Sequence, residues 1–107
     1  MRRPDVMDRI EQLRKFIAQS PDEAFPRYAL ALELKGRGEA EAAVSELQAL
    51  LQRAPDYLAA YLQLGMLLQT QCRPAEARDV FARGQEVARK KGDSHTLSEL
   101  TQALESL

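Results

Sequence analysis

Tryptophan is absent from this chain of 107 residues, and cysteine and histidine occur once each, at Cys72 and His95. A single thiol closes no internal disulfide, which is compatible with a reducing compartment and leads us to expect a cytoplasmic protein. One cysteine and one histidine on different turns have no metal-ligand spacing, so no metal site is expected. A glycine-rich phosphate loop is missing as well, since Gly36 and Gly38 fit a turn between helices. No apolar run is long enough to span a bilayer, and Met1-Arg2-Arg3-Pro4-Asp5 leads into a charged helix rather than an apolar stretch, so neither a membrane segment nor a secretory leader is expected. Charge of one sign is also lacking. With 15 Lys and Arg against 16 Asp and Glu the net charge is −1, which excludes the basic footprint of a nucleic-acid binder. The only dense basic clusters, Arg2-Arg3 and Arg89-Lys90-Lys91, read as solvated ends.

Aromatic residues make up only 6% of the chain, a scarcity that fits helices packed through Leu and Ala. A hydrophobic content of 45% and a charged content of 29% exclude a disordered chain. The length suits one domain, residues 1–107, with a modest core.

What the chain does contain is a pattern repeated at 34 residues. Pro21-Asp22 recurs as Pro55-Asp56, Leu30 as Leu64, Ala31 as Gly65 and Leu34 as Leu68. Ala43 recurs as Ala77, Leu47 as Phe81 and Ala54 as Ala88. The period reaches backwards too, because Ile10, Leu13, Phe16 and Pro21 precede Val44, Leu47, Leu50 and Pro55 by the same interval. A fixed period of this size marks an array in which each supersecondary unit buries its apolar face against a neighbour. Such arrays present surfaces and rarely do chemistry.

Helical periodicity and breakers predict six helices joined by short turns. The first runs from about Asp5 to Gln19, with Met7, Ile10, Leu13, Phe16 and Ile17 on one stripe. Ser20-Pro21-Asp22 breaks it, and Asp22 is placed to cap the second helix, about Glu23 to Lys35. Pro26 is tolerable there only because it lies close to the first turn. Gly36-Arg37-Gly38 ends that helix, since glycine adopts the left-handed C-cap conformation without steric cost. The third helix, about Glu39 to Arg53, carries Ala43, Val44, Leu47, Leu50 and Leu51, and the fourth, about Tyr57 to Thr70, carries Tyr61, Leu62, Leu64, Met66, Leu67 and Leu68. Pro74 opens the fifth as a favourable first helical residue. Gly92-Asp93 then turns the chain into a last helix from about Ser94, with Leu97, Leu100, Leu104 and Leu107 as its stripe. Glu39, Glu41, Glu46, Glu76 and Asp79 read as the solvated outer faces of the second helices. The architecture expected is stacked antiparallel hairpins.

These residues resemble the tetratricopeptide repeat. In that family a 34-residue helix-turn-helix carries a large residue, then Leu-Gly, then a bulky residue in its first helix, and Ala, a large apolar residue and a closing Pro in and after its second. The second copy here reads Tyr61, Leu64-Gly65, Leu68, Ala77, Phe81. The first reads Leu30-Ala31, Leu34, Ala43, Leu47, Pro55, with Arg27 in place of the aromatic. Gly84 replaces the usual Ala late in the second copy, and Arg89 stands where its terminal Pro would be, so the fifth helix is expected to run on toward Lys91. The resemblance implies an all-α, right-handed α-solenoid of about six helices. Its parts are a half repeat (5–20), two full repeats (21–54 and 55–91) and a C-terminal capping helix (94–107) that fits a first-half pattern only with about two residues inserted. The period frays after Gly84, where the array is expected to stop.

In the family the first helix of each repeat lines a concave groove that takes partner peptides. Carried over, the groove positions are Phe25, Tyr28, Leu32 and Lys35 in the first repeat and Ala59, Leu62, Gln63, Met66 and Gln69 in the second. Tyr28 and Leu32 are four apart, as are Leu62 and Met66, so each pair shares a helix face. One reading makes these four residues core, covered by the terminal helices. Another makes them an apolar groove that binds a partner peptide or helix, or a second copy of this chain in a homodimeric scaffold. Met66 suits such a surface because its side chain adapts to different shapes. Some members clamp the acidic tails of chaperones with Lys, Asn and Arg. The matching positions here include Tyr28, Leu32 and Gln63, of which only Gln63 is similar, so that function is not expected. The expectation overall is a non-enzymatic interaction module without cofactors.

Overall fold

The computed structural model describes residues 8–107, all of whose regular structure is helical. Six helices follow in order: α1 (Arg9–Gln19), α2 (Ala24–Gly36), α3 (Ala40–Arg53), α4 (Leu58–Thr70), α5 (Pro74–Lys91) and α6 (Ser94–Glu105). The part of the expected first helix before Asp8, with Met7 and the Arg2-Arg3 cluster, lies outside the described residues.

Each helix packs against its successor, and α4 also meets α6, so the hairpins stack along one direction. The core is a continuous file of small and branched aliphatic residues, among them Leu30, Leu47, Leu50, Leu68 and Leu100, with Phe81 as its only phenylalanine. Burial of this kind supplies most of the stability, because isolated helices of this length are marginal in water. No polar or charged residue among those described is buried.

The repeat period is visible in the hydrogen bonds. Glu39 N–H donates to the Leu34 carbonyl at 2.9 Å, and 34 residues later Arg73 N–H donates to the Leu68 carbonyl at the same distance. Glu23 N–H to Ser20 O (3.1 Å) recurs as Tyr57 N–H to Ala54 O (3.0 Å). The Tyr61 hydroxyl donates to the Pro55 carbonyl at 2.6 Å. Arg27, its counterpart in the first repeat, donates through Nη2 to the Pro21 carbonyl at 3.1 Å. The arginine that replaces the repeat's aromatic therefore makes the same turn-closing contact with a different side chain, at the cost of a buried Nε that has no partner.

Three expectations are corrected. Asp22 does not cap α2: the N-cap is Glu23, and no side chain there bonds the helix terminus. The capping side chains are Asp8, which accepts from Ile10 N–H at 2.8 Å, and Asp93, which accepts from Thr96 N–H at 2.9 Å. Hydrogen bonds from Thr96 hold the Asp93 carboxyl below the usual aspartate range. Second, of the two glycines after α2 only Gly38 takes the left-handed conformation, with φ +81°, while Gly36 is still helical. Third, of the described residues of the α1 stripe only Leu13 is fully buried, Ile10 and Ile17 are half-buried against the core, and Phe16 is 56% exposed, because α1 packs mainly on one side, against α2. Where the period frays, α6 packs on α5 and α4. A Cβ there would meet Tyr61 Cβ at 2.7 Å and Leu100 Cδ1 at 3.1 Å, so Gly84 is the point where α4 and α6 both crowd onto α5. The expected extension of the fifth helix does occur, and α5 ends at Lys91.

Candidate functional site

The nine groove positions fall on α2 and α4, the first helices of the two repeats, and they divide by environment. Phe25 and Met66 are 65% and 41% exposed. Lys35 and Ala59 are also exposed, and Tyr28, Leu32, Leu62, Gln63 and Gln69 are half-buried. Tyr28 and Leu62 rest against the core while keeping part of their surface in water. None of the nine is fully buried.

Polar contacts tie the two helices together at this surface. Lys35 Nζ donates to Gln63 Oε1 at 2.9 Å, joining α2 to α4. Burial raises the Tyr28 phenol above its ordinary value, and a hydrogen bond with the same Gln63 side chain partly offsets that rise. The Tyr28 ring packs against Tyr57 with centroids 5.2 Å apart and planes tilted by 47°, an arrangement favoured by the ring quadrupoles. Burial also raises the Tyr57 phenol. Tyr28, Lys35 and Gln63 thus converge, and Tyr57 joins them. Sequence reasoning assigned Tyr57 only to the start of the fourth helix, since ring packing between helices leaves no mark at a fixed spacing.

A cleft of about 630 Å³ lies elsewhere, between α3 and α5. Its apolar floor, Leu51, Leu64, Leu68 and Val80, is already buried, and Glu76 on its rim is paired with Arg73 at 2.6 Å. A ligand there would gain little apolar contact. The α2–α4 face, by contrast, holds two of the three large apolar side chains that stand exposed among the described residues.

Nothing in the surroundings of Cys72 or His95 suggests chemistry. Cys72 is exposed in the turn before α5. The His95 side chain is 87% exposed, and its Nε2 lies 3.5 Å from Glu99 Oε1. Among the described residues no group of three or more His, Cys, Asp or Glu is placed to hold a metal ion, and no helix is long and apolar enough to cross a membrane.

The hairpin stack, the Leu-Gly/Phe crossing of α4 on α5 and the 34-residue recurrence of turn contacts have a counterpart among known families. The tetratricopeptide repeat model matches residues 34–104. The chain belongs to the tetratricopeptide repeat family. A TPR repeat-containing protein of Pseudomonas aeruginosa is 33% identical over 98 residues, covering 92% of this chain and 93% of that one. The crystal structure of a tetratricopeptide repeat domain protein from Salinibacter ruber is 38% identical and superposes with a TM-score of 0.75 over 78% of this chain and 93% of its own. The solution structure of protein BPP2914 from Bordetella parapertussis is 30% identical, with a TM-score of 0.80 over 94% of this chain and 88% of its own. Tetratricopeptide repeats are in general protein-interaction modules, and the six-helix stack here is one of their helical solenoids.

Proposed function

We propose that this tetratricopeptide repeat protein is a non-enzymatic module that holds a segment of a partner protein against the face formed by α2 and α4, in the cytoplasm and without a cofactor. The observation that carries this reading is the exposure of Phe25 and Met66 on the two helices that the repeat turns toward its groove. On the same two helices the Tyr28–Tyr57 pair and the Lys35–Gln63 bond supply a prearranged wall. Exposed apolar patches mark interaction sites, and a prearranged wall lowers the ordering cost of binding.

The test is selection of peptides from a random display library on the immobilised 107-residue chain. Selected peptides should bind the wild type, and binding should be lost in the double variant Phe25→Glu, Met66→Glu, whose helical content stays unchanged because both side chains are exposed. Changing Tyr28 would be less clean, since it is half-buried against the core. A stable dimer in light scattering that dissociates in the same variant would overturn the reading, because the face would then be occupied by a second copy.

A further inference from the structure

The third exposed large apolar side chain, Phe16, lies away from the α2–α4 face, on α1. In the array each second helix packs between two first helices: α3 between α2 and α4, and α5 between α4 and α6. By its period α1 is also a second helix. It packs against the later of its two neighbours, α2, and among the described residues no helix stands in the earlier place.

What that place requires is visible on α5, two periods further on. There α4 closes on Phe81 and Gly84, since a Cβ on Gly65 would strike the Phe81 ring and one on Gly84 would strike Tyr61. The Arg83 guanidinium lies 5.8 Å from the centre of the Tyr61 ring. The counterparts of Phe81, Gly84 and Arg83 on α1 are Leu13, Phe16 and Lys15. Together with Arg9, Gln12 and Gln19 they line a shallow cleft of about 340 Å³. The uncovered side of α1 is therefore the side that α5 gives to α4.

Its charge is of one sign. No carboxylate among the described residues lines the cleft, and Arg9 and Lys15 have no ion pair among those residues, whereas Arg14 is paired with Glu46 at 3.7 Å. Arg9 stands where α3 and α5 have the fully buried Ala43 and Ala77, so a covering helix meets a cation at that end. A second copy of the chain fits this side poorly. Two α1 helices face to face would set Arg9 and Lys15 against their own kind. On α6, Thr101 occupies the position of Ala31 and Gly65, and its hydroxyl already bonds Gln85 at 3.0 Å and the Leu97 carbonyl at 2.8 Å.

We propose that α1 docks a helix of a partner protein in the place that α4 takes on α5. This helix is amphipathic and acidic. It lays a large apolar side chain on Phe16 and sets carboxylates against Lys15, beside it, and against Arg9, two turns or about 10 Å away along α1. The site is separate from the α2–α4 face and does not depend on it.

The test is a display selection of amphipathic helical peptides, at least as long as the 13 residues of α4, on the variant Phe25→Glu, Met66→Glu, which leaves α1 unchanged. Selected peptides should carry Asp or Glu together with a large apolar residue about two turns away, and should bind this variant and the wild type alike. Adding Phe16→Glu should weaken them about thirty-fold, as for a central apolar anchor, with helical content unchanged because the side chain is exposed. Arg9→Glu, Lys15→Glu should weaken them about five-fold, as for two exposed charge pairs, and a peptide with its acidic residues changed to Lys should recover that loss. Affinity for the wild type should fall as salt is raised. An empty selection, or peptides without an acidic preference or indifferent to Phe16→Glu, would overturn the proposal. So would a wild-type dimer in light scattering that Phe16→Glu dissociates, because a second copy would then cover α1.

Discussion

The two full repeats reach one backbone geometry with different side chains. At the crossing of its two helices the second repeat sets Gly65 against Phe81, and the first repeat has Ala31 and Leu47 at the equivalent positions, all four essentially buried. A Cβ built on Gly65 would lie 2.2 Å from the Phe81 ring, so the larger residue on α5 is admitted only because α4 gives up its side chain there. At the turn before the first helix, Arg27 and Tyr61 reach the carbonyls of Pro21 and Pro55. At the turn between the two helices, Gly38 with φ +81° and Cys72 with φ +60° adopt the same left-handed conformation. The comparison shows that the repeat specifies positions and contacts, and that compensating pairs satisfy them.

The strongest way to break that comparison is Gly65→Ala. It places a methyl group inside the Phe81 ring and should destabilise the fold by about 1–3 kcal/mol through overpacking, even though alanine is the better helix former. Adding Phe81→Leu recreates the Ala/Leu pair of the first repeat, so the double variant should regain most of the loss. A double-mutant cycle in urea denaturation measures the coupling, and strict additivity would refute the compensation.

A smaller effect is expected at the proline turns. Tyr61→Phe removes the donor to Pro55 O and should cost about 1 kcal/mol. Arg27→Tyr should move stability the other way by a similar amount, since a phenol reaches the same carbonyl without a buried, unpartnered Nε. If Arg27→Tyr destabilises, the two residues are not equivalent.

The left-handed turn gives a still smaller change. Cys72 is the only described residue other than glycine with positive φ, a conformation that costs an L-residue about 1–2 kcal/mol. Cys72→Gly should therefore raise the urea midpoint modestly, the gain being reduced by the extra freedom of glycine in the unfolded chain. Gly38→Ala should lower it.

The smallest effect concerns the α6 cap. The folded Asp93 carboxyl titrates below its ordinary value, so its stabilising contribution is present above the ordinary aspartate range and is lost as pH falls through the folded value. Asp93→Ala should lower stability slightly at neutral pH, and the difference from wild type should vanish in acid.

Much of the fold was legible because the apolar spacing and the turn residues are local. All six helices, the Pro74 start and the run of α5 to Lys91 follow from such patterns. Asp22 misled because a capping residue type at the right place does not guarantee a cap: the helix begins one residue later than a cap at Asp22 requires. Phe16 misled because a helical stripe shows which face is apolar and not whether a neighbour covers it. In the groove, the spacing of Tyr28, Leu32, Leu62 and Met66 identified a shared face but left open whether it was covered. Its partial exposure became visible only once α1 and α6 had been placed.

By itself the sequence determined the repeat, its period and the helices that carry it, since these depend on residue spacing along the chain. Only the tertiary structure decided that α4 and α6 both crowd onto α5 at Gly84 and that Arg27 stands in for Tyr61. Each of these depends on which surfaces meet in space. Two residues added to the 34-residue period before α6 keep its apolar stripe, Leu97, Leu100 and Leu104, in register with Tyr61, Leu64 and Leu68.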